Sequence, residues 1–316
     1  MTSTPAASQH VSTHPGHALH TATPSDSLAA MSASPPAHPT VPAFVWLEIT
    51  GKCQLNCTHC YAGSSPAGRH GTLTVPEWEH VISSTAASGV QMVQFIGGEP
   101  TLHPALPHLI NHALDHGLRA EVFTNLVHLT PALWAAFTQP GVSLATSWYT
   151  DDPAQHQQIT GRNTHARTWT HITECVRRGV PLRAGVITSI LAGQRDREAL
   201  AMLAALGIPA STDHLRDLGR GSRPDPTALC GGCGDKVACI GPDGTVHPCP
   251  MARWVNAGHV RDGVAAALTH AGPAALAAGL PRTSPPTSPA PLQACGPDTY
   301  CDPNYCNPKC VPSLRR

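Results

Sequence analysis

Residues 44–60 read Phe-Val-Trp-Leu-Glu-Ile-Thr-Gly-Lys-Cys-Gln-Leu-Asn-Cys-Thr-His-Cys. The opening six residues form a short apolar run, aromatic and β-branched, interrupted only by Glu48, which suits a strand buried on both faces. Gly51 and Lys52 lead out of it, and Cys53, Cys57 and Cys60 follow at Cys-x3-Cys-x2-Cys spacing on the loop toward the next helix. Structural zinc closes a four-ligand tetrahedron and usually takes its cysteines as two Cys-x2-Cys pairs, so a trio with this uneven spacing fits zinc poorly. It fits a 4Fe-4S cube held by three soft sulfurs, with one iron open to a substrate or cofactor. A zinc knuckle with His59 as fourth ligand is the competing reading.

Outward from this stretch, short apolar runs alternate with amphipathic segments, the grammar of βα units around a parallel sheet. Strands are expected at 44–49, 92–96, 120–124, 143–148, 182–187 and 210–215. Helices are expected to begin near Pro76, Pro104, Pro131, Thr168 and Gln194, the first three with proline where its missing N–H costs a helix nothing. Six such strands predict an α/β fold, a partial (β/α)6 TIM-type barrel over residues 43–222, with its chemistry at the carboxyl ends of the strands. Residues 1–42 contain no Lys or Arg and are dominated by Ala, Ser, Thr, Pro and His, which predicts a disordered low-complexity tail. A Pro/Ala-rich stretch near 272–292 predicts a semi-extended linker.

The chain has 316 residues, enough for one barrel-sized domain and a smaller appendage. Lys and Arg total 20 against 20 for Asp and Glu, so no broad basic face is implied for nucleic acid or anionic lipid. No apolar run is long enough to span a membrane and no export signal opens the chain, so a soluble, cytoplasmic protein is expected. Twelve cysteines in a reducing compartment point to metal or iron-sulfur ligation rather than disulfides.

Beyond the trio and Cys175, which falls inside a predicted helix and reads as a buried apolar residue, eight cysteines remain. They are Cys230, Cys233, Cys239, Cys249, Cys295, Cys301, Cys306 and Cys310. Eight soft ligands suffice for two further clusters, which predicts a small C-terminal cysteine-rich auxiliary iron-sulfur domain over residues 223–316. Pro242, Asp243 and Gly244 spell a tight hairpin turn that brings the flanking cysteines together. A four-thiolate zinc site from Cys230, Cys233, Cys306 and Cys310 is the alternative.

At the end of the second expected strand stands Gly97-Gly98-Glu99-Pro100. Glycines let a backbone approach a ligand closely and a carboxylate accepts from an ammonium group, so the tetrad suits the amino end of a cofactor. Together, the cysteine trio and this tetrad one βα unit later resemble the radical S-adenosylmethionine superfamily over about residues 43–220. The resemblance implies a 4Fe-4S cluster on Cys53, Cys57 and Cys60 whose open iron is chelated by S-adenosyl-L-methionine. It implies reductive cleavage of that cofactor to a 5′-deoxyadenosyl radical, which abstracts hydrogen from an unactivated C–H bond. By the same resemblance His59 lies near the adenine, Asn125 and Ser147 face the ribose and carboxylate, and Arg162 or Arg167 pairs the carboxylate. Asp213 and Asp217 are candidates for proton handling because they fall at the barrel's carboxyl end.

The segment from Cys230 to Cys249, read as Cys-x13-Gly-x4-Cys, resembles the opening of the SPASM domain of peptide-modifying radical enzymes, although the spacing of Cys295, Cys301, Cys306 and Cys310 departs from it. This implies one or two auxiliary 4Fe-4S clusters, a ribosomally made peptide as substrate and a reducing partner such as ferredoxin or flavodoxin. The peptide would receive a crosslink, thioether, epimerised or oxidised residue. A maturase of a folded protein or of a small-molecule cofactor precursor is the rival within enzymes. A non-catalytic iron-sulfur or zinc electron-transfer protein is the rival from another class, and the Gly97 to Pro100 tetrad speaks against it, because an electron carrier needs no cofactor cradle.

Overall fold

A computed structural model describes residues 41–220 and 222–282. Nine strands and seven α-helices run in the order β1 (Phe44–Thr50), α1 (Val75–Ala87), β2 (Met92–Gly97), α2 (Leu106–Asp115), β3 (Arg119–Phe123), α3 (Pro131–Phe137), β4 (Val142–Ser147), α4 (Pro153–Thr160), α5 (His165–Arg177), β5 (Leu182–Thr188), α6 (Asp196–Ala205), β6 (Ala210–His214), β7 (Val237–Ile240), β8 (Thr245–His247), β9 (Gly258–His259) and α7 (Val264–Ala277). β1 to β6 are parallel and lie side by side in chain order, the expected partial barrel. Among the described residues β6 and β9 end the sheet and do not pair, so the barrel is open.

The central strands form where expected because each is built on a buried apolar run, while β6 at the sheet edge, Ala-Ser-Thr-Asp-His, is polar and partly exposed. Every residue of β1 is buried, and Trp46, Phe95, Leu144 and Val186 are at most 1 % exposed. Parallel strands covered on both faces have no alternating pattern to show. The helices begin at strong local signals. Thr74 and Glu77 form a reciprocal capping box at α1 with Pro76 in its first turn, and Thr130 caps α3 ahead of Pro131. Cys175 is fully buried in α5, as expected of an apolar residue.

Several expectations shift. The helix expected from Pro104 is a 3₁₀ turn at Pro100–Leu102 followed by α2 from Leu106, and the helix expected from Thr168 begins a turn earlier at His165. α4 was not expected at all. Its residues, Pro-Ala-Gln-His-Gln-Gln-Ile-Thr, carry too few apolar side chains to show a face, yet Asp152 caps it through the N–H groups of Ala154 and Gln155, and Gly161 at φ 72° ends it. The linker expected from 272 starts too early, because Gly272 to Ala277 complete α7. Pro273 is tolerated there because the helix is held by its buried alanine face, Ala267, Ala271, Ala274 and Ala275, rather than by every internal hydrogen bond. The remainder of that linker, residues 283–292, lies outside the described residues.

The segment after the barrel continues the same sheet. β7 pairs parallel with β1 on the edge opposite β2, from Phe44 opposite Val237 to Leu47 opposite Ile240, and β8 and β9 follow antiparallel. The turn at Pro242 to Gly244 is the expected hairpin, with Gly241 N–H donating to Thr245 O at 2.8 Å and Gly244 at φ 91°. Inside the join, Arg253 pairs with Glu48 of β1 at 2.6 Å and lies over the Tyr61 ring, 5.5 Å from its centroid. Among the described residues no helix is long and apolar enough to cross a membrane.

Candidate functional site

The carboxyl ends of β1 to β4 open on one cavity. Its wall includes Cys53, Cys57, His59 and Cys60 from the loop after β1, Gly97, Gly98 and Glu99 from the end of β2, Asn125 after β3 and Ser147 at the end of β4. Residues more than ninety positions apart in the chain therefore share one space, as the sequence reading requires of them. Tyr149, His156, Thr160 and Thr168 complete the same wall and were not foreseen. The Asp152-Pro153 start and Gly161 stop would have placed α4, and with it His156 and Thr160 on one helix face at i, i+4 spacing.

The cysteine loop is pinned from several sides. Asn56 N–H and Thr58 N–H each donate at 3.0 Å to the last carbonyls of α4, Thr160 O and Ile159 O. Cys53 N–H donates to Ser65 O, and Asn125 Nδ2 lies 3.7 Å from Cys53 Sγ. Arg220, after β6, reaches back with Nε to Cys57 O at 3.1 Å and Nη2 to Ser64 O at 2.5 Å. Gly219, at φ 94°, makes that reach possible, because a Cβ there would stand 2.4 Å from Cys60 O. Nothing local in the sequence marks Arg220 as a partner of Cys57.

The tetrad after β2 also has a part in holding the strand exits. A Cβ on Gly97 would fall 2.3 Å from Thr50 O, and one on Gly98 2.4 Å from Lys52 O, so the glycines admit the exit of β1. Glu99 is 1 % exposed and its carboxylate is met from inside. Oε1 accepts from Thr101 N–H at 3.0 Å, Thr101 Oγ1 at 2.7 Å and Thr124 Oγ1 at 2.6 Å, and Oε2 from Asn125 N–H at 2.7 Å. It ties the exits of β2 and β3 together while lining the cavity. Burial raises its pKa against the opposing pull of these donors. Leu126 follows Asn125 at φ 56°, a left-handed conformation that costs a branched residue about 1–2 kcal/mol, and Thr124 Oγ1 accepts from its N–H.

Burial raises the Cys53 thiol, with Glu99 adding to the effect, and pushes Cys57 up to about 12, against which Arg220 acts in the opposite sense. Metal-free, these are neutral thiols, and cluster binding has to displace their protons. His59 is held at about 4 by burial. Its Nε2 lies 3.2 Å from Tyr149 Oη, the rings meet edge to face, and its Nδ1 is buried without a partner.

The other sequence candidates fall elsewhere. Arg162 and Arg167 are exposed and outside the cavity, because the buried face of this region carries Thr160 and Thr168 instead. Asp213 is paired with Arg216 at 3.2 Å, and the exposed Asp217 accepts from Ser222 Oγ; neither lines the cavity. In the second cysteine group Cys233, Cys239 and Cys249 are buried, and Cys233 Sγ lies 2.9 Å from Cys249 Sγ. Cys230 accepts from Gly232 N–H. None of the eight described cysteines forms a disulfide. Cys295, Cys301, Cys306 and Cys310 lie outside the described residues.

The donor set fits an iron-sulfur cluster with a bound nucleoside cofactor. Among the described residues no three His, Cys, Asp or Glu side chains are arranged to hold a single metal ion. The trio borders a cavity, as a cube with one exposed corner would need, and Asn125, Ser147 and Thr168 put polar side chains in the same lining. Cys53, Cys57 and Cys60 are the residues that could hold the cluster.

Comparison with known proteins agrees with this geometry. PqqA peptide cyclase of Streptomyces rochei is 30 % identical over 147 residues, 46 % of this chain and 40 % of that protein, so the match spans less than half of that relative. PqqA peptide cyclase of Ruegeria pomeroyi is 28 % identical over 267 residues, 68 % of this chain and 70 % of that protein. The structure of Streptococcus suis SuiB bound to precursor peptide SuiA superposes with a TM-score of 0.58 at 14 % identity, over 70 % of this chain and 62 % of that one, a likeness of fold. The profile of the Radical SAM superfamily matches residues 47–206, half of the chain, and the chain belongs to that superfamily.

Proposed function

We propose that this protein is a radical S-adenosylmethionine enzyme that cleaves its cofactor reductively and modifies a ribosomally synthesised peptide. The observation that carries the reading is the single cavity shared by the Cys53, Cys57, Cys60 trio and the Gly97, Gly98 exit at the carboxyl ends of the strands. The cluster and S-adenosylmethionine, when bound, supply one-electron chemistry able to remove hydrogen from an unactivated C–H bond. The chain's own residues hold and shield that chemistry. Glu99 and Asn125 fix the strand exits, α4 and Arg220 hold the cysteine loop, and the surrounding wall limits access of water.

The peptide substrate rests on the two cyclases, which are named for a peptide, and on SuiB, whose structure holds its precursor peptide. We read residues 223–316 as an auxiliary-cluster segment, with Cys233 and Cys249 as its nearest ligand pair and Cys230 and Cys239 beside them. A small reducing protein of the ferredoxin or flavodoxin type would deliver the electron, and free-thiol chemistry at so many cysteines suits the cytoplasm.

Anaerobic reconstitution followed by an assay for reductant-dependent 5′-deoxyadenosine tests the reaction. The Cys53→Ala, Cys57→Ala, Cys60→Ala triple variant should form none, and turnover by that variant overturns the reading. Co-expression with short reading frames beside the gene should yield a peptide of altered mass. Consumption of a small molecule with no change in any such peptide would replace the substrate assignment.

A further inference from the structure

β6 is a sheet edge that nothing protects. It ends the sheet among the described residues, and its five residues, Ala-Ser-Thr-Asp-His, alternate between exposed and half-buried. In a parallel pair successive residues turn their backbone groups to opposite sides. Ala184 N–H donates to Pro209 O at 2.9 Å, and Thr188 Oγ1 donates to Asp213 O at 3.3 Å, so the odd-numbered residues face β5. The N–H and C=O groups of Ala210 and Thr212 therefore point away from the sheet, and no hydrogen bond from the described residues meets them. Natural sheets blunt such edges with a lysine, a proline, a bulge or a very short strand. β9, at the other end of this sheet, has only two residues, whereas β6 has five and none of them is a lysine or a proline. Its one acidic side chain, Asp213, is paired with Arg216 at 3.2 Å, so its charge is balanced and does not repel an approaching strand.

Donors and acceptors repeating every second residue are matched by another backbone in extended form, and the place of this edge says whose. At the end of the strand His214, Leu215 and Arg216 line a small recess together with His59 and Tyr61, two residues that also border the cavity of the cysteine trio. Leu215 is 40 % exposed there, an apolar contact for one side chain of an incoming chain. A peptide laid along β6 is thus carried to the border of the cavity, whereas a second copy of this chain, paired through its own β6, would gain nothing from that approach. We propose that β6 is the docking edge for the substrate peptide, which adds to the sheet as a further strand and passes Leu215 to bring its reacting residue to the cavity. The backbone pairing supplies affinity with little regard to sequence, and the recess selects the side chain beside it. This inference rests on the proposed reading of the substrate as a peptide.

The probe is the unmodified synthetic form of the peptide whose mass changes on co-expression, its affinity measured by calorimetry on the reconstituted protein. Single N-methyl groups placed along the peptide remove one donor at a time. In a strand pair only alternate amides face the neighbour, so affinity should fall about tenfold at every second position of one short stretch and hold between them. On the protein side, Thr212→Pro removes an outward N–H and no bond to β5, a change that edge strands tolerate, and should weaken the peptide about tenfold. Thr212→Ala, which keeps the N–H, should bind it as the parent does. A bound peptide with no two-residue alternation overturns the inference and leaves the proposed function standing, as does a Thr212→Pro variant that binds it unchanged. A chain that sediments as a dimer and becomes a monomer on that substitution, with peptide affinity intact, gives the edge to a second copy and overturns the inference. If no peptide is altered on co-expression, the peptide reading falls and the inference with it. Should Thr212→Pro fail to fold, unchanged hydrogen exchange at residues 210–214 of the parent on adding the peptide overturns the assignment.

Discussion

Glu99→Gln separates a scaffolding carboxylate from a cofactor-binding one. The carboxylate accepts from two fixed backbone donors, Thr101 N–H on Oε1 and Asn125 N–H on Oε2, and from two threonine hydroxyls that can rotate. Glutamine has one carbonyl oxygen, so whichever way its amide turns, an NH₂ group faces one of the two backbone N–H groups. A buried donor left unmet costs about 1–3 kcal/mol. Loss of the charge relieves some desolvation, since burial is what raises the Glu99 pKa. The net expectation is a destabilisation of about 2 kcal/mol, or a fall in Tm of about 4–8 °C for a domain of this size.

The same residue sets a pH dependence of definite sign. A carboxyl group whose pKa is raised on folding binds more protons folded than unfolded between its ordinary value of 4.5 and its raised value. Its contribution to stability is therefore present below 4.5 and lost as pH rises through the folded pKa. Glutamine has no such dependence, so the Tm difference between parent and variant should widen as pH falls from 7 toward 4.5. Scanning calorimetry of both proteins across that range measures it. A difference that narrows toward acid would mean that the four donors outweigh burial, and an unchanged Tm with weakened S-adenosylmethionine binding would refute the scaffolding role.

Other perturbations read different parts of the same assembly. Gly98→Ala places a methyl 2.4 Å from Lys52 O and 2.6 Å from Lys52 C, and this overpacking should cost about 3 kcal/mol. Iron analysis should show the barrel cluster lost as the loop that begins at Cys53 is pushed away. Arg220→Ala removes both bonds to Cys57 O and Ser64 O, a loss of about 1 kcal/mol at this exposed position. The metal-free variant should be alkylated faster at Cys57, and Arg220→Lys should not restore protection, because an ammonium cannot reproduce the forked geometry. Cys233→Ser should reduce iron by about four atoms per chain while sparing the barrel cluster, as expected of one lost cube. Unchanged iron with loss of zinc would instead assign that pair to a zinc site.

The central parallel strands were legible because burial on both faces leaves an apolar run with clear ends, and the cysteine trio was legible because its spacing is local. What escaped the sequence reading depended on weaker or longer-range signals. α4 carries His156 and Thr160 into the cavity, but its interior is nearly all polar, so only its cap and its terminal glycine announce it. Arg220 meets Cys57 across 163 positions, a contact set by the curvature of the sheet and by Gly219 rather than by any local pattern. Gly97, Gly98 and Glu99 were found as a motif, but their fit against the exits of β1 and β3 was not foreseen. A short motif reports which residue types a place requires; it does not say whether the close neighbour is a ligand or another strand.

That distinction bears on how the site is built. Three adjacent thiolates without iron would repel one another in a poorly solvated loop, and burial avoids this by keeping Cys53 and Cys57 protonated. The loop must then be held by something other than charge. Its backbone N–H groups are taken by α4 and Ser65, and the Cys57 carbonyl by Arg220. Glu99 fixes Asn125, whose amide reaches Cys53. The contacts come from the ends of different βα units, so the loop can keep its shape only when the strands around it are assembled in register. Iron binding then adds the cluster to a frame already in place, and the free energy of metal capture is not required to order the loop.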